Sequence, residues 1–277
     1  MSRAVPISGD DASWHDVNSA GDAVGGSFVT HDTSASWAYL GGEVVRLPGA
    51  DTEATAINDH GLIAGLRNVN DLTNTVPVVW RSADRPAEDL PMPGGASGGK
   101  AVDVADDGTI VGMVAETSQT VGTGYLWQPD GRYRKIPLAV VGGRQVTEFW
   151  TNSVHGSVVD GKAFWYDPDG SYRFGWATFD IRTGAFTLLP QVRMGEPVGN
   201  GHGWLAGHSS TGAVLTRPDG AGGVDSVDLP GLVPASGNVV SDLFKPLPVV
   251  ISADGRIVAG QANDANGEPQ AVIWRCA

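Results

Sequence analysis

Glu53, Lys100 and Glu148 each stand eight residues before a recurrent glycine, at Gly61, Gly108 and Gly156. A lysine between two glutamates at one structural level can hold an anion or a polarised carbonyl while a carboxylate moves protons. His15 belongs to the same neighbourhood, as do Asp11, Asp51, Arg193, Glu196 and Lys245, all within three positions of equivalent points in other repeats. The candidate catalytic set is therefore Glu148, Glu53, Lys100 and His15. Arg193, Glu196 and Lys245 are candidate substrate-binding charges. The competing reading is structural, with Lys100 neutralising its acidic neighbours at a wet rim.

The elements that must position these groups are set by a repeated phrase. It reads Gly21-Asp-Ala-Val-Gly25, Gly61-Leu-Ile-Ala-Gly65, Gly108-Thr-Ile-Val-Gly112, Gly156-Ser-Val-Val-Asp160, Gly203-Trp-Leu-Ala-Gly207 and Gly255-Arg-Ile-Val-Ala259. Its first glycines are spaced by 40, 47, 48, 47 and 52 residues, a period that implies a propeller or a solenoid. The second repeat shows the grammar of one unit. Ala54–Ile57 is a short strand, 58–61 a tight turn, Leu62–Leu66 a second strand and Val76–Trp80 a third, rich in β-branched residues. A fourth strand, Glu88–Pro91, is stopped by proline.

The chain ends just after its sixth third strand, whereas Arg3-Ala-Val-Pro-Ile7 resembles the fourth-strand segment Arg134-Lys-Ile-Pro-Leu138. Residues 1–9 are thus expected to complete the last sheet and close the ring. The expectation is one all-β domain over residues 1–277, a six-bladed β-propeller of four-stranded blades. Its fourth blade, at about 147–190, is irregular and extended.

The segment Ala56-Ile-Asn-Asp-His-Gly-Leu-Ile-Ala-Gly65, followed by an Ala/Val-Trp strand and Leu-Pro, resembles the bacterial HAF-type propeller repeats. The resemblance covers nearly the whole chain and implies the propeller fold. It implies no site residue, because the shared residues are turn and core positions. No His-Ala-Phe occurs, and the nearest piece is Lys162-Ala-Phe164. Many members of that family are exported or anchored.

Blade four breaks the pattern. Phe149, Trp150, Phe164, Trp165, Tyr166, Tyr172, Phe174, Trp176 and Phe179 crowd its neighbourhood in a chain that is 8% aromatic. Its lengthened second and third strands meet at Pro168-Asp-Gly170, so a hairpin should overhang the channel mouth. Trp150, Trp165, Tyr166, Tyr172 and Arg173 are then candidate substrate-binding residues on an aromatic wall. The alternative is that the rings pack between blades four and five, with Trp165, Tyr166 and Tyr172 the exceptions.

Other patterns carry little. Gly95-Ala-Ser-Gly-Gly99 matches a nucleophile elbow, but that motif needs a strand before it and a helix after it. His60, His155 and His202 precede their repeat glycines, yet equivalent turns of different blades lie too far apart to share an ion. Asp167-Pro-Asp-Gly170 lacks the later glutamate of a calcium loop. No metal site and no cofactor are expected, although the acidic balance leaves room for calcium in a central channel.

Net charge is −13, with 31 acidic against 18 basic residues, which disfavours nucleic acid and anionic membranes as partners. Cys276 stands alone, so neither an internal disulfide nor a thiolate zinc cluster is expected. The N-terminus has no long apolar region, which points to the cytoplasm. Two functions fit. One is a cofactor-independent enzyme, of lyase, isomerase, cyclase or hydrolase type, acting on a small organic molecule, with a biosynthetic pathway as one setting. The other is a non-catalytic propeller that binds a ligand or a protein partner.

Overall fold

Short apolar runs with β-branched residues, separated by glycine turns, fold into strands that pair with their sequence neighbours. The computed structural model describes residues 10–30, 33–69, 74–117, 122–189, 195–199, 204–208, 213–218, 224–229, 247–251, 257–263 and 269–275. The side chains of 10–13, 195–199, 208, 213, 218, 224, 247–250, 257, 259–263 and 269–275 lie outside that description.

The first sheet holds β1 (Asp10–Val17), β2 (Ala23–Thr30), β3 (Thr33–Leu40) and β4 (Glu43–Arg46). The second holds β5 (Thr52–Ile57), β6 (Ile63–Arg67), β7 (Val76–Trp80) and β8 (Glu88–Asp89). The third holds β9 (Gly98–Val104), β10 (Ile110–Ala115), β11 (Thr123–Trp127) and β12 (Tyr133–Lys135). The fourth has five strands: β13 (Val140–Val141), β14 (Arg144–His155), β15 (Val158–Tyr166), β16 (Tyr172–Asp180) and β17 (Phe186–Leu189). The fifth holds β18 (Gly195–Gly199), β19 (Leu205–His208), β20 (Ala213–Pro218) and β21 (Val224–Leu229). The last has β22 (Leu247–Ile251), β23 (Ile257–Asn263) and β24 (Pro269–Arg275).

Every sheet is antiparallel and ordered as the chain runs, and each packs on the next, as in a β-propeller. Five complete blades of four or more strands are therefore present among the described residues, where six were expected. The sixth sheet has three strands there, and the segment expected to complete it, Arg3–Ile7, lies outside the described residues.

Alternation along the strands places apolar side chains on both faces, which joins successive sheets. Val24 and Ala38 of the first sheet meet Ile63, Val78 and Trp80 of the second. Ala64 and Val79, on the opposite face of the second, meet Ile110, Val114 and Trp127 of the third. Val111, Leu126 and Ile136 then meet Phe149, Ala163 and Phe179 of the fourth. Trp176 reaches Leu205 and Val214 of the fifth, where Leu215 reaches Val258 of the sixth.

The two glycines of the repeat phrase do different work. Gly21, Gly61, Gly108 and Gly156 sit in turns at positive φ, where a side chain would strain the backbone. Gly65 and Gly112, and in the fourth blade Gly161 just after its phrase, instead face a bulge on the innermost strand. A Cβ on them would lie 2.1, 2.0 and 2.2 Å from the carbonyl oxygens of Glu53, Lys100 and Trp150.

Candidate functional site

That bulge fixes which residues share a level. Glu53, Lys100 and Trp150 are equivalent, because their carbonyls confront Gly65, Gly112 and Gly161. Glu148 is not on this row, contrary to the spacing argument. The β14–β15 connection, 155–158, is one residue shorter than the 58–62 connection of the second blade, so its first glycine is a false origin for counting.

The proposed catalytic residues consequently separate. His15 Nδ1 lies 2.9 Å from the Ala54 carbonyl and 3.6 Å from Glu53 Oε1. Glu53 is folded back over Gly26, so its chain lies against the first blade. The Lys100 side chain is exposed and forms no hydrogen bond or ion pair with the described residues. Glu148 belongs to the aromatic hairpin. Arg193 and Lys245 lie outside the described residues, and so does the side chain of Glu196, whose backbone is in β18.

In the hairpin, β14, β15 and β16 run for 12, 9 and 9 residues, against 6, 5 and 5 in β5, β6 and β7. The pairings Glu148↔Phe164↔Phe174, Trp150↔Lys162 and Tyr166↔Tyr172 put all these side chains on one face. Lower on the same face, Trp176 is buried against the fifth blade. Higher up the face is open: Tyr166 is 57%, Tyr172 46% and Phe174 58% exposed.

The rings form a continuous set around Phe164. Trp150 lies 4.6 Å from it, Tyr172 stacks on it at 5.6 Å and 14°, and Phe174 is tilted at 6.1 Å. Tyr166 extends the set at 5.1 Å from Tyr172. Glu148 is clasped by two neutral donors. Trp150 Nε1 donates to its Oε2 at 3.1 Å, and the Tyr172 hydroxyl donates to its Oε1 at 3.2 Å. Burial, then the charge and hydrogen bond of Glu148, push the Tyr172 phenol up to about 12. The Lys162 ammonium rests 4.2 Å from the centre of the Phe174 ring.

Trp165 and Arg173 fall on the opposite face of the hairpin because they are odd-numbered in the same ladder. Trp165, expected on the exposed wall, is buried at 9% exposure. Its indole donates to Asp167 Oδ1 at 3.3 Å, and that carboxylate also takes Arg173 Nε at 3.0 Å and Arg144 Nε at 3.2 Å. These contacts brace the turn that holds the platform upright. Phe174, absent from the expected set, belongs to the open face.

A second polar cluster occupies the turn-side end of the innermost strands. Asp16 accepts from Ile57 N, and Asp103 from Val154 N, each reaching the next blade. Asp103 is pushed up to about 7, first by burial and then by the charge of Asp16. Asp160, bonded to the Ser153 hydroxyl, is raised to about 6 by burial. Asp16 is raised by burial as well, and nearby His155 draws both Asp16 and Asp160 back. His155 is thus engaged with this cluster, while His60 stays on an exposed turn and His202 lies outside the described residues. The clue was in the chain: Asp16 and Asp103 both stand five residues before a repeat glycine, and Asp160 replaces the glycine that ends the phrase. Among the described residues no three His, Cys, Asp or Glu side chains are placed to hold a metal ion. No helix among them is long and apolar enough to cross a membrane.

The chain matches no protein-family model and no curated protein. Among solved structures, one from a structural and mechanistic analysis of two prolyl endopeptidases is similar at a TM-score of 0.55 and 12% identity. The match covers 95% of this chain and 42% of that one, so this chain spans under half its length. A puromycin-hydrolyzing peptidase of Mycobacterium tuberculosis gives 0.45 at 12% identity, over 79% of this chain and 37% of that one. TolB from Acinetobacter baumannii gives 0.46 at 13%, over 92% and 67%. At these identities the first likeness speaks for the fold alone, that of a β-propeller.

Proposed function

We propose that the chain is a ligand-binding propeller whose site is the open aromatic face of the blade-four hairpin. The observation that carries this reading is the exposure of Tyr166, Tyr172 and Phe174 side by side with the held carboxylate Glu148. Large apolar side chains gathered on a projecting surface, with oriented polar groups among them, are the makings of a recognition site. The propeller supports the hairpin and contributes rigidity. The ring itself is read as six-bladed and HAF-like.

The test is a fragment screen observed by ligand NMR on the wild-type chain, repeated on Phe174→Ala, Tyr172→Ala and Lys100→Ala. Hits lost in the first two variants and kept in the third support the assignment. Hits that survive both aromatic changes exclude it.

The pairing of His15 with Glu53 favours a second reading, a cofactor-independent enzyme moving a proton at the channel mouth. That reading expects His15→Ala and Glu53→Gln to abolish turnover of a small organic substrate with the fold unchanged. It gives the hairpin no catalytic part.

A further inference from the structure

We propose that the blade-four face recognises a small organic cation, an alkylammonium group, seated against Glu148 at the open edge of the Trp150, Phe164 and Tyr172 ring set. This rests on the reading of that face as the binding site and names its ligand class.

Glu148 is a carboxylate held by neutral groups alone. Its two donors, the indole of Trp150 and the phenol of Tyr172, are both neutral, and no described residue forms an ion pair with it. Each oxygen has received one hydrogen bond and keeps further lone-pair capacity. The carboxylate is thus oriented, and no described cation neutralises it. Beside it stand the exposed rings of Tyr166, Tyr172 and Phe174, whose quadrupoles also favour a cation. The nearest built-in candidate, Lys162, is directed elsewhere. Its ammonium lies over Phe174, 4.2 Å from the ring centre, and 5.8 Å from that of Phe164. Lys162 therefore shows that these rings accept an ammonium, and it leaves the Glu148 side of the cluster without one.

Charge complementarity selects the occupant. The chain carries −13 overall, which draws cations and repels anions over several ångströms. An anionic ligand would meet both that field and Glu148. A neutral sugar or apolar ring would stack on Phe174 and Tyr166 but would have no use for an uncompensated carboxylate. An alkylammonium uses both, with methyl or methylene groups against the rings and the positive charge beside Glu148.

The experiment titrates the full chain with choline and with 3,3-dimethyl-1-butanol, its neutral isostere, following the Trp150 indole N–H signal by NMR. Choline is expected to saturate in the millimolar range and the isostere to bind about tenfold more weakly or not at all. Glu148→Gln, which keeps an oxygen for one of the two donors and removes the charge, should weaken choline by about tenfold. Lys162→Met removes a like charge and should leave choline binding equal or tighter. Equal binding of choline and its isostere overturns the proposal, and so does choline binding indifferent to Glu148→Gln. If choline fails while screened neutral fragments still depend on Phe174, the cation assignment falls and the binding reading stands. If no ligand depends on Phe174, both fall.

Discussion

The indole nitrogen of Trp127 lies 2.7 Å from the carbonyl oxygen of Pro91, across the boundary between the third and second blades. Trp80 repeats the bond one blade earlier, to the Pro48 carbonyl at 3.0 Å. The Trp that ends a third strand and the Leu-Pro that follows a fourth strand are therefore partners between blades. Phe179 takes the equivalent place in the fourth blade, without a donor, under the guanidinium of Arg134.

Trp127→Phe should consequently cost about 2–3 kcal/mol of unfolding free energy, from lost buried volume and an acceptor without its donor. Trp80→Phe should behave alike, since both indoles are almost wholly buried. Urea unfolding measures both. A loss below about 0.5 kcal/mol for each would show that the indole bond does not join the blades.

The glycines of the phrase separate by mechanism. Gly112→Ala puts a Cβ 2.0 Å from the Lys100 carbonyl oxygen, in a paired backbone that cannot yield cheaply. A loss above about 3 kcal/mol or failure to fold is expected. Gly61→Ala meets open space and violates only its φ of 77°, for about 1–2 kcal/mol. Equal losses in the two variants, by thermal or chemical unfolding, would contradict the close-approach argument.

How much of this could be read from residues alone follows from which glycine sets the register. The repeat period, the turns at Asn58–Gly61 and the strand Val76–Trp80 were legible because local propensity and tertiary structure agree there. The open aromatic hairpin was legible as an irregularity, and Tyr166 and Tyr172 are indeed exposed. The level of Glu148 was not, because a shorter turn shifts the count and the bulge is invisible without a partner strand. Trp165 and Phe174 exchanged their expected places through the parity of one ladder. The elevated carboxylate Asp103 depends on burial and on the charge of Asp16 in another blade, which no single segment encodes.

Asp103 makes stability depend on pH in a stated direction. Its folded pKa of about 7 lies above the usual aspartate value, so folding favours the protonated form. The contribution is present in full below about pH 4 and is lost as pH rises through about 7. Asp160, raised to about 6, acts in the same sense. Asp103→Asn should flatten the decline between about pH 5 and pH 8 by no more than about 3 kcal/mol. Urea unfolding at those two pH values decides it: an unchanged slope in the variant would mean that Asp103 does not carry the effect.

Tyr172 offers a direct reading of the platform. Its phenol is pushed up to about 12 by burial first and then by Glu148, which it serves as donor. A phenol whose folded pKa is raised contributes stability that is complete below its ordinary value near 10 and disappears as pH climbs to about 12. Glu148→Gln removes the negative charge and leaves the ring where Phe164 stacks on it. The Tyr172 titration should then move down toward the ordinary range without reaching it, since burial remains. Phenolate absorbance, taken as the difference between wild type and Tyr172→Phe and repeated in the Glu148→Gln background, isolates this one residue. A Tyr172 signal that titrates at the same pH with and without Glu148 would show that the carboxylate is not held at the phenol in solution.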